Sequence, residues 1–196
     1  MYLSLIIPAY NEAGHLRATL RTAREYFEKQ TYSAEIIVVD DGSTDGTADV
    51  AQATLDDVRV ISYQPNRGKG HAVKTGMLAA TGDYRVFYDA DASTPIDQLE
   101  KLWPQFEAGA DIVIGSRSMP GSQVEIHQSW MRENMGRAFN RLLRMFNLTS
   151  FPDTQCGFKG FTAAACEVVF PRQTINGFAF DAELLFIAIK HGLRVE

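Results

Sequence analysis

Short apolar runs recur along the chain, and each ends abruptly in polar or acidic residues before a stretch of helical periodicity begins. Leu3–Pro8 runs into Ala9-Tyr10-Asn11-Glu12, Glu35–Val39 into Asp40-Asp41-Gly42-Ser43, and Tyr84–Tyr88 into Asp89-Ala90-Asp91. Strands that alternate with helices build βα units, and successive βα units form a largely parallel sheet, because parallel neighbours need a crossover between them. The patterning predicts strands over Leu3–Pro8, Glu35–Asp40, Val58–Tyr63, Tyr84–Tyr88 and Asp111–Gly115. It predicts a helix over Glu12–Gln30 with Leu16, Leu20, Ala23 and Phe27 on one face, and a second from a cap at Thr44 or Asp45 through Leu55. Further helices are expected over Gly70–Ala80, Pro95–Ala108, Ser129–Phe146 and Phe180–His191. The fold class is α/β: a mostly parallel sheet flanked by helices, with loops and helices in the C-terminal part.

A length of 196 residues suits a single domain with a real core. The net charge of −5 excludes a general nucleic-acid binder, whose footprint is basic. Cys156 and Cys166 fit no metal-ligand or redox spacing and read as reduced, buried thiols. Leu3–Ile7 is too short for a signal peptide, and no apolar run approaches the ~18 residues of a membrane span. Arg194-Val195-Glu196 looks like the start of another strand, so more protein is expected to follow.

In parallel α/β sheets, ligands gather beyond the carboxyl ends of the strands. Polar residues at three strand ends therefore point to a binding site, although each segment taken singly is also an ordinary turn. On an extended segment Asp89 and Asp91 point the same way. Arg67-Gly68-Lys69-Gly70 is a basic, glycine-rich loop that opens a helix, a place where amides and charge face an anion. His15, His71, His127 and His191 have no ligand spacing.

These motifs together resemble a known family. Ile7-Pro8-Ala9-Tyr10-Asn11-Glu12, Val39 to Thr47, Asn66-Arg67-Gly68-Lys69-Gly70, Asp89-Ala90-Asp91 and Gly115-Ser116-Arg117 are similar to the motifs of inverting GT-A glycosyltransferases of family two, and within them of polyprenyl-phosphate sugar synthases. The stretch Asp153-Thr154-Gln155-Cys156-Gly157-Phe158-Lys159-Gly160-Phe161 resembles the dolichyl-phosphate β-glucosyltransferase branch. The resemblance implies one catalytic domain over residues 1–196, with a nucleotide-sugar half over 1–117 and an acceptor half over 118–196. It implies that Pro8, Ala9, Tyr10, Glu12 and Val39 line the nucleotide, that Asp41 hydrogen-bonds the base, and that Lys69, Asp89 and Ala90 belong to the same donor site. Asp89 and Asp91 are then the acidic pair of the metal site, one of which can hold ribose and the other a hard cation, Mg2+ or Mn2+, that takes oxygen ligands. Arg117 meets phosphate, and Asp181 stands where members acting on hydroxyl acceptors place a general base. Ser93 occupies a position where mannose synthases often carry glutamine, which leaves a third metal ligand open and disfavours mannose.

The implied reaction is inverting, metal-dependent transfer of a hexose, glucose from UDP-glucose, to a polyprenyl or dolichyl phosphate. Segment 128–146 interleaves Arg132, Arg137, Arg141 and Arg144 with Trp130, Phe139 and Phe146, a pattern that suits peripheral contact with an anionic membrane as well as packing on a core. The implied location is the cytoplasmic face of a membrane. Alternatives are a family-two enzyme using GDP-mannose or a sugar hydroxyl acceptor, and a silent nucleotide-sugar-binding scaffold, against which the intact acidic pair argues. Gln128-Ser129-Trp130-Met131-Arg132 has the wrong spacing for a processive synthase, and Ala9-Tyr10-Asn11-Glu12 is not the loop of a nucleotidyltransferase.

Overall fold

A computed structural model describes residues 2–115 and 156–196. Arg117, Asp153 to Gln155 and the basic segment 128–146 lie outside the described residues. Strands β1 (Tyr2–Ala9), β2 (Ser33–Asp40), β3 (Arg59–Ser62), β4 (Tyr84–Tyr88), β5 (Ile112–Ile114) and β6 (Phe158–Thr162) form a six-stranded sheet in the order β3-β2-β1-β4-β6-β5. The pairings β1–β2, β1–β4 and β2–β3 are parallel, whereas β6 runs antiparallel to both β4 and β5. The strands expected from the sequence are all present. β6 is an addition, as is the helix Ala163–Val169 that follows it.

β1 shows why the first run is apolar throughout. Its side chains alternate between faces: Leu3, Leu5 and Ile7 join one buried cluster, and Ile6 the cluster on the other side. Helix α1 (Ala13–Phe27) packs Leu16, Leu20, Ala23 and Phe27 into the first cluster, the face its periodicity predicted. Helix α3 (Lys69–Ala79) packs Val73 and Met77 into the second. Each fully buried Leu or Ile contributes about 1.5–3 kcal/mol relative to exposure, so the two clusters fix the sheet, and with it the loops at the strand ends.

Two helix boundaries differ from expectation for local reasons. Helix α2 (Thr47–Gln52) begins after Gly46, not after Thr44 or Asp45, because Asp45 turns back and its Oδ1 accepts from the Thr47 amide at 3.0 Å. The expected helix over Pro95–Ala108 is a 3-10 turn, Ile96–Lys101, followed by α4 (Trp103–Glu107). Pro104 has no N–H to continue the hydrogen-bond ladder, so the helix restarts there.

The remaining helices are α5 (Ala163–Val169), capped by the Thr162 hydroxyl, and α6 (Phe180–Lys190). The Gly115 amide donates to the Phe158 carbonyl at 2.9 Å, which pins the end of β5 to the start of β6. Val195 pairs in parallel with Ile112, so Arg194–Glu196 does extend along the edge of β5 as its sequence suggested. No helix among the described residues is long and apolar enough to cross a membrane.

Candidate functional site at the carboxyl ends of the central strands

β1, β2 and β4 are parallel neighbours, so the segments that follow Ala9, Asp40 and Tyr88 leave the sheet along one edge. The first two are laced together. Asn11, at φ 55°, donates its amide to Ser43 Oγ at 2.9 Å and accepts from the Thr44 amide through Oδ1 at 2.9 Å. The Glu12 amide donates to Thr47 Oγ1 at 2.9 Å and the Ala13 amide to Asp45 Oδ2 at 3.1 Å. This lacing leaves the Tyr10 ring exposed and Glu12 part-exposed, beside buried Pro8, Ala9 and Val39. Glu12 is further held by His15 Nδ1 at 3.0 Å.

Asp40 and Asp41 face different tasks. Asp40 Oδ1 accepts from the Ser43 amide at 3.0 Å and shapes the turn. Asp41 was expected at the nucleotide base, but it is only 2% exposed and its carboxylate is engaged by the next loop. Oδ1 accepts from the Arg67 amide at 2.8 Å, and Oδ2 from the Gly68 amide at 2.9 Å and Asn66 Nδ2 at 2.8 Å. A carboxylate takes these three N–H groups more readily than it leaves them unpaired, so Asp41 is the anchor of the Asn66–Gly68 loop. Gly68 sits at φ +100° with Asn176 O where a Cβ would stand, at 2.5 Å, so this turn admits only glycine.

That loop delivers Lys69, the first residue of α3, to the third strand end. Lys69 Nζ donates to Asp89 Oδ1 at 2.6 Å. The ammonium is partly desolvated, which disfavours its charge, but Asp89, Asp181 and Asp91 together outweigh that and hold it protonated, with its pKa raised. Asp91 is exposed, and its Oδ1 accepts from the Ser93 amide at 3.0 Å. Between them, the buried Ala90 carbonyl accepts from Thr19 Oγ1 at 2.7 Å, fixing the turn to α1. Behind Asp89 lies Gly157, the residue that continues β6 past the end of β4. A Cβ there would come within 1.8 Å of Asp89 Oδ2, so the main chain itself forms the wall against the carboxylate.

Asp181, expected as a general base, has another occupation. It is 5% exposed in the first turn of α6 and forms an ion pair with Lys159 of β6, which is fully buried. Burial raises the Asp181 carboxyl above the usual range, and the Lys159 and Lys69 ammonium groups pull it back. Lys159 Nζ also donates to the Cys156 carbonyl at 2.5 Å and lies over the Phe87 ring. A carboxylate committed to such a pair cannot take a proton from an acceptor without leaving the ammonium unpaired. A helical acid reads as exposed from the sequence, but this one is buried against Lys159 of the sheet. Lys159 carries no functional signal in the sequence, because a lysine inside an apolar stretch gives none until its partner is known.

The model of Glycosyl transferase family 2 matches residues 4–170. The chain belongs to this family. Among curated family relatives, the Dolichyl-phosphate beta-glucosyltransferase of Saccharomyces cerevisiae is 34% identical, over 100% of this chain and 65% of its own length. That of Homo sapiens is 36% identical, over 95% of this chain and 62% of its own. The chain thus spans somewhat less than two thirds of these relatives. Glucosyl-3-phosphoglycerate synthase from Mycobacterium tuberculosis, in complex with UDP, superposes with a TM-score of 0.72 at 22% identity, over 97% of this chain and 66% of that one. The same enzyme in complex with Mn2+, UDP and glucosyl-3-phosphoglycerate gives 0.73 at 21% identity. At that identity the likeness establishes the GT-A fold of this family 2 chain.

Among the described residues, the structure of this family 2 domain brings Pro8, Ala9, Tyr10, Glu12, Val39, Lys69, Asp89, Ala90 and Asp91 to one edge of the sheet, with Asp41 beneath the basic loop. No group of three or more His, Cys, Asp or Glu side chains suited to a metal occurs among the described residues. Asp89 and Asp91 stand on a turn, not on the extended segment expected to point both the same way; both offer only oxygen donors, the chemistry that Mg2+ or Mn2+ prefers, and in that respect alone the residues fit such an ion.

Proposed function

We propose that this chain is the catalytic part of an enzyme that transfers glucose from UDP-glucose to a polyprenyl phosphate with inversion, using Mg2+ or Mn2+. The observation that carries the reading is the Asp89-Ala90-Asp91 turn, set at a central strand end with Lys69 at 2.6 Å and flanked by the loops that leave β1 and β2. The names of the dolichyl-phosphate relatives supply the acceptor class.

In the proposed reaction an oxygen of the lipid phosphate forms a bond to the anomeric carbon of glucose. The bond from that carbon to the UDP oxygen breaks, its electron pair leaves with UDP, and the α linkage becomes β. Asp89 and Asp91 would hold the divalent cation, whose chemistry is to neutralise charge on the departing diphosphate. Tyr10 and Glu12 border the nucleotide, and Arg117 with Lys69 meets phosphate oxygens. A phosphate acceptor is ionised at neutral pH, so no base has to remove its proton, which agrees with an Asp181 committed to Lys159. Segment 128–146 would hold the enzyme at an anionic bilayer, on the cytoplasmic side where buried thiols such as Cys166 stay reduced.

Dolichyl phosphate in detergent, incubated with UDP-[14C]glucose and Mn2+, should yield labelled lipid, and EDTA should stop it. GDP-[14C]mannose should label the lipid far less. Greater transfer from GDP-mannose would overturn the sugar assignment, and transfer undiminished by EDTA would overturn the metal. Replacing Arg137, Arg141 and Arg144 with glutamine should weaken binding to anionic liposomes while leaving UDP affinity unchanged.

A further inference from the structure

Lys69 holds, at 2.6 Å, the carboxylate of Asp89 that the proposed reaction gives to a divalent cation. Its placement makes that partner necessary. Lys69 is the first residue of α3, where the positive end of the helix dipole disfavours a cation. Nearby Asp181 is already engaged by Lys159. The root of the side chain is fixed: the Gly68 amide is bound to Asp41 and the Gly70 amide donates to Asn176 O at 2.8 Å. Its head is less confined, since the side chain is 28% exposed and a lysine turns freely about its four-carbon stem. The ammonium therefore has a rigid base and a short radius of motion, and its present anion is one the metal also needs.

Resting on the reading of Asp89 and Asp91 as the metal-binding pair, we propose that Lys69 is a built-in counter-cation that occupies Asp89 until a nucleoside diphosphate draws it away. A divalent ion arriving alone has to displace the ammonium and leave it unpaired at the helix terminus. A diphosphate offers Lys69 a new anion and so frees Asp89. Metal and nucleotide then bind synergistically, with Lys69 carrying part of the coupling. By linkage, the nucleotide gains from the metal the same factor that the metal gains from the nucleotide.

Binding is measured on the whole chain, with free Mn2+ followed by electron paramagnetic resonance and UDP by titration calorimetry. In the parent, Mn2+ alone should bind weakly and UDP should tighten it. Lys69→Met keeps the length of the side chain and removes the charge. It should tighten Mn2+ binding in the absence of UDP by about tenfold, within the usual range of coupling between sites, and reduce the effect of UDP on Mn2+ by a similar factor. Lys69→Arg should stay close to the parent, and Lys69→Gln provides a second neutral variant if the methionine form is poorly folded. A merely structural lysine would give weaker Mn2+ binding when replaced, the opposite sign. If both neutral variants bind Mn2+ alone no more tightly than the parent, the inference falls while the metal site stands. If the parent binds no Mn2+ even with UDP present, the metal site falls and takes the inference with it.

Discussion

Replacing Lys159 with methionine should destabilise the domain severely, and the size of the effect follows from the burial of its partner. Lys159 is 0% and Asp181 5% exposed, and they form one ion pair between β6 and α6. Removing one member of a buried pair strands the other charge, which typically costs about 3–5 kcal/mol. For a domain of this size, at ~2–4 °C per kcal/mol, the melting temperature should fall by roughly 6–20 °C. The double variant Lys159→Met with Asp181→Leu removes both charges and should recover most of the loss, because an apolar replacement of a buried pair is often close to neutral. The pH dependence has a definite sign. Burial raises the Asp181 carboxyl and Lys159 opposes it, so without Lys159 the folded-state pKa rises further above the unfolded value of about 3.9. The native variant then takes up a proton that the unfolded chain does not. Its deficit should therefore shrink as pH falls through the raised value and be largest at alkaline pH. Urea unfolding of the parent, single and double variants at pH 8 and pH 5.5 measures all of this. A single variant losing less than about 1 kcal/mol, or a double variant as unstable as the single, would refute the reasoning.

Three further outcomes are expected. Asp91→Ala should lower metal-dependent transfer by more than about 100-fold, since even outer-shell partners of a metal are worth 10–100-fold; being exposed, the change should leave the melting temperature nearly unmoved. Gly157→Ala would place a methyl group 1.8 Å from Asp89 Oδ2, and the displaced carboxylate should cost about 10²-fold in transfer rate, read by initial velocities against a circular-dichroism control for folding. The Cys166 thiol is fully buried and pushed up to about 12, so site-resolved mass spectrometry should find it unalkylated by iodoacetamide at pH 8 in the native protein and alkylated in urea.

Much of the fold was legible because the decisive signals were local. The apolar runs that became β1, β2 and β4 are long and end in acids, and α1 buries the four residues its periodicity selected. β6 was not legible for the converse reason. Lys159 and Gly160 interrupt its apolar residues, and both are buried only because Asp181 neutralises the lysine and the Phe106 and Leu102 side chains pack against the glycine. At the site, the position of the Asp89 turn at a strand end was readable from the sequence, whereas the hydrogen bonds of Asp41 and the ion pair of Asp181 were not. Their carboxylates are claimed by a loop 25–27 residues away and by a strand 22 residues away, partners that no local pattern predicts.

The hydrogen bond from Gly115 to Phe158 also bears on how such a chain can diversify. Because these two residues are fastened to each other at the sheet, the end of β5 and the start of β6 keep a fixed spacing beside the end of β4. Gly157 and Phe158 sit at that fastening, so an exchange at either would be felt both at the Asp89 carboxylate and at the seam between β5 and β6. The acids at the end of β4 thus share their surroundings with a seam that admits little change.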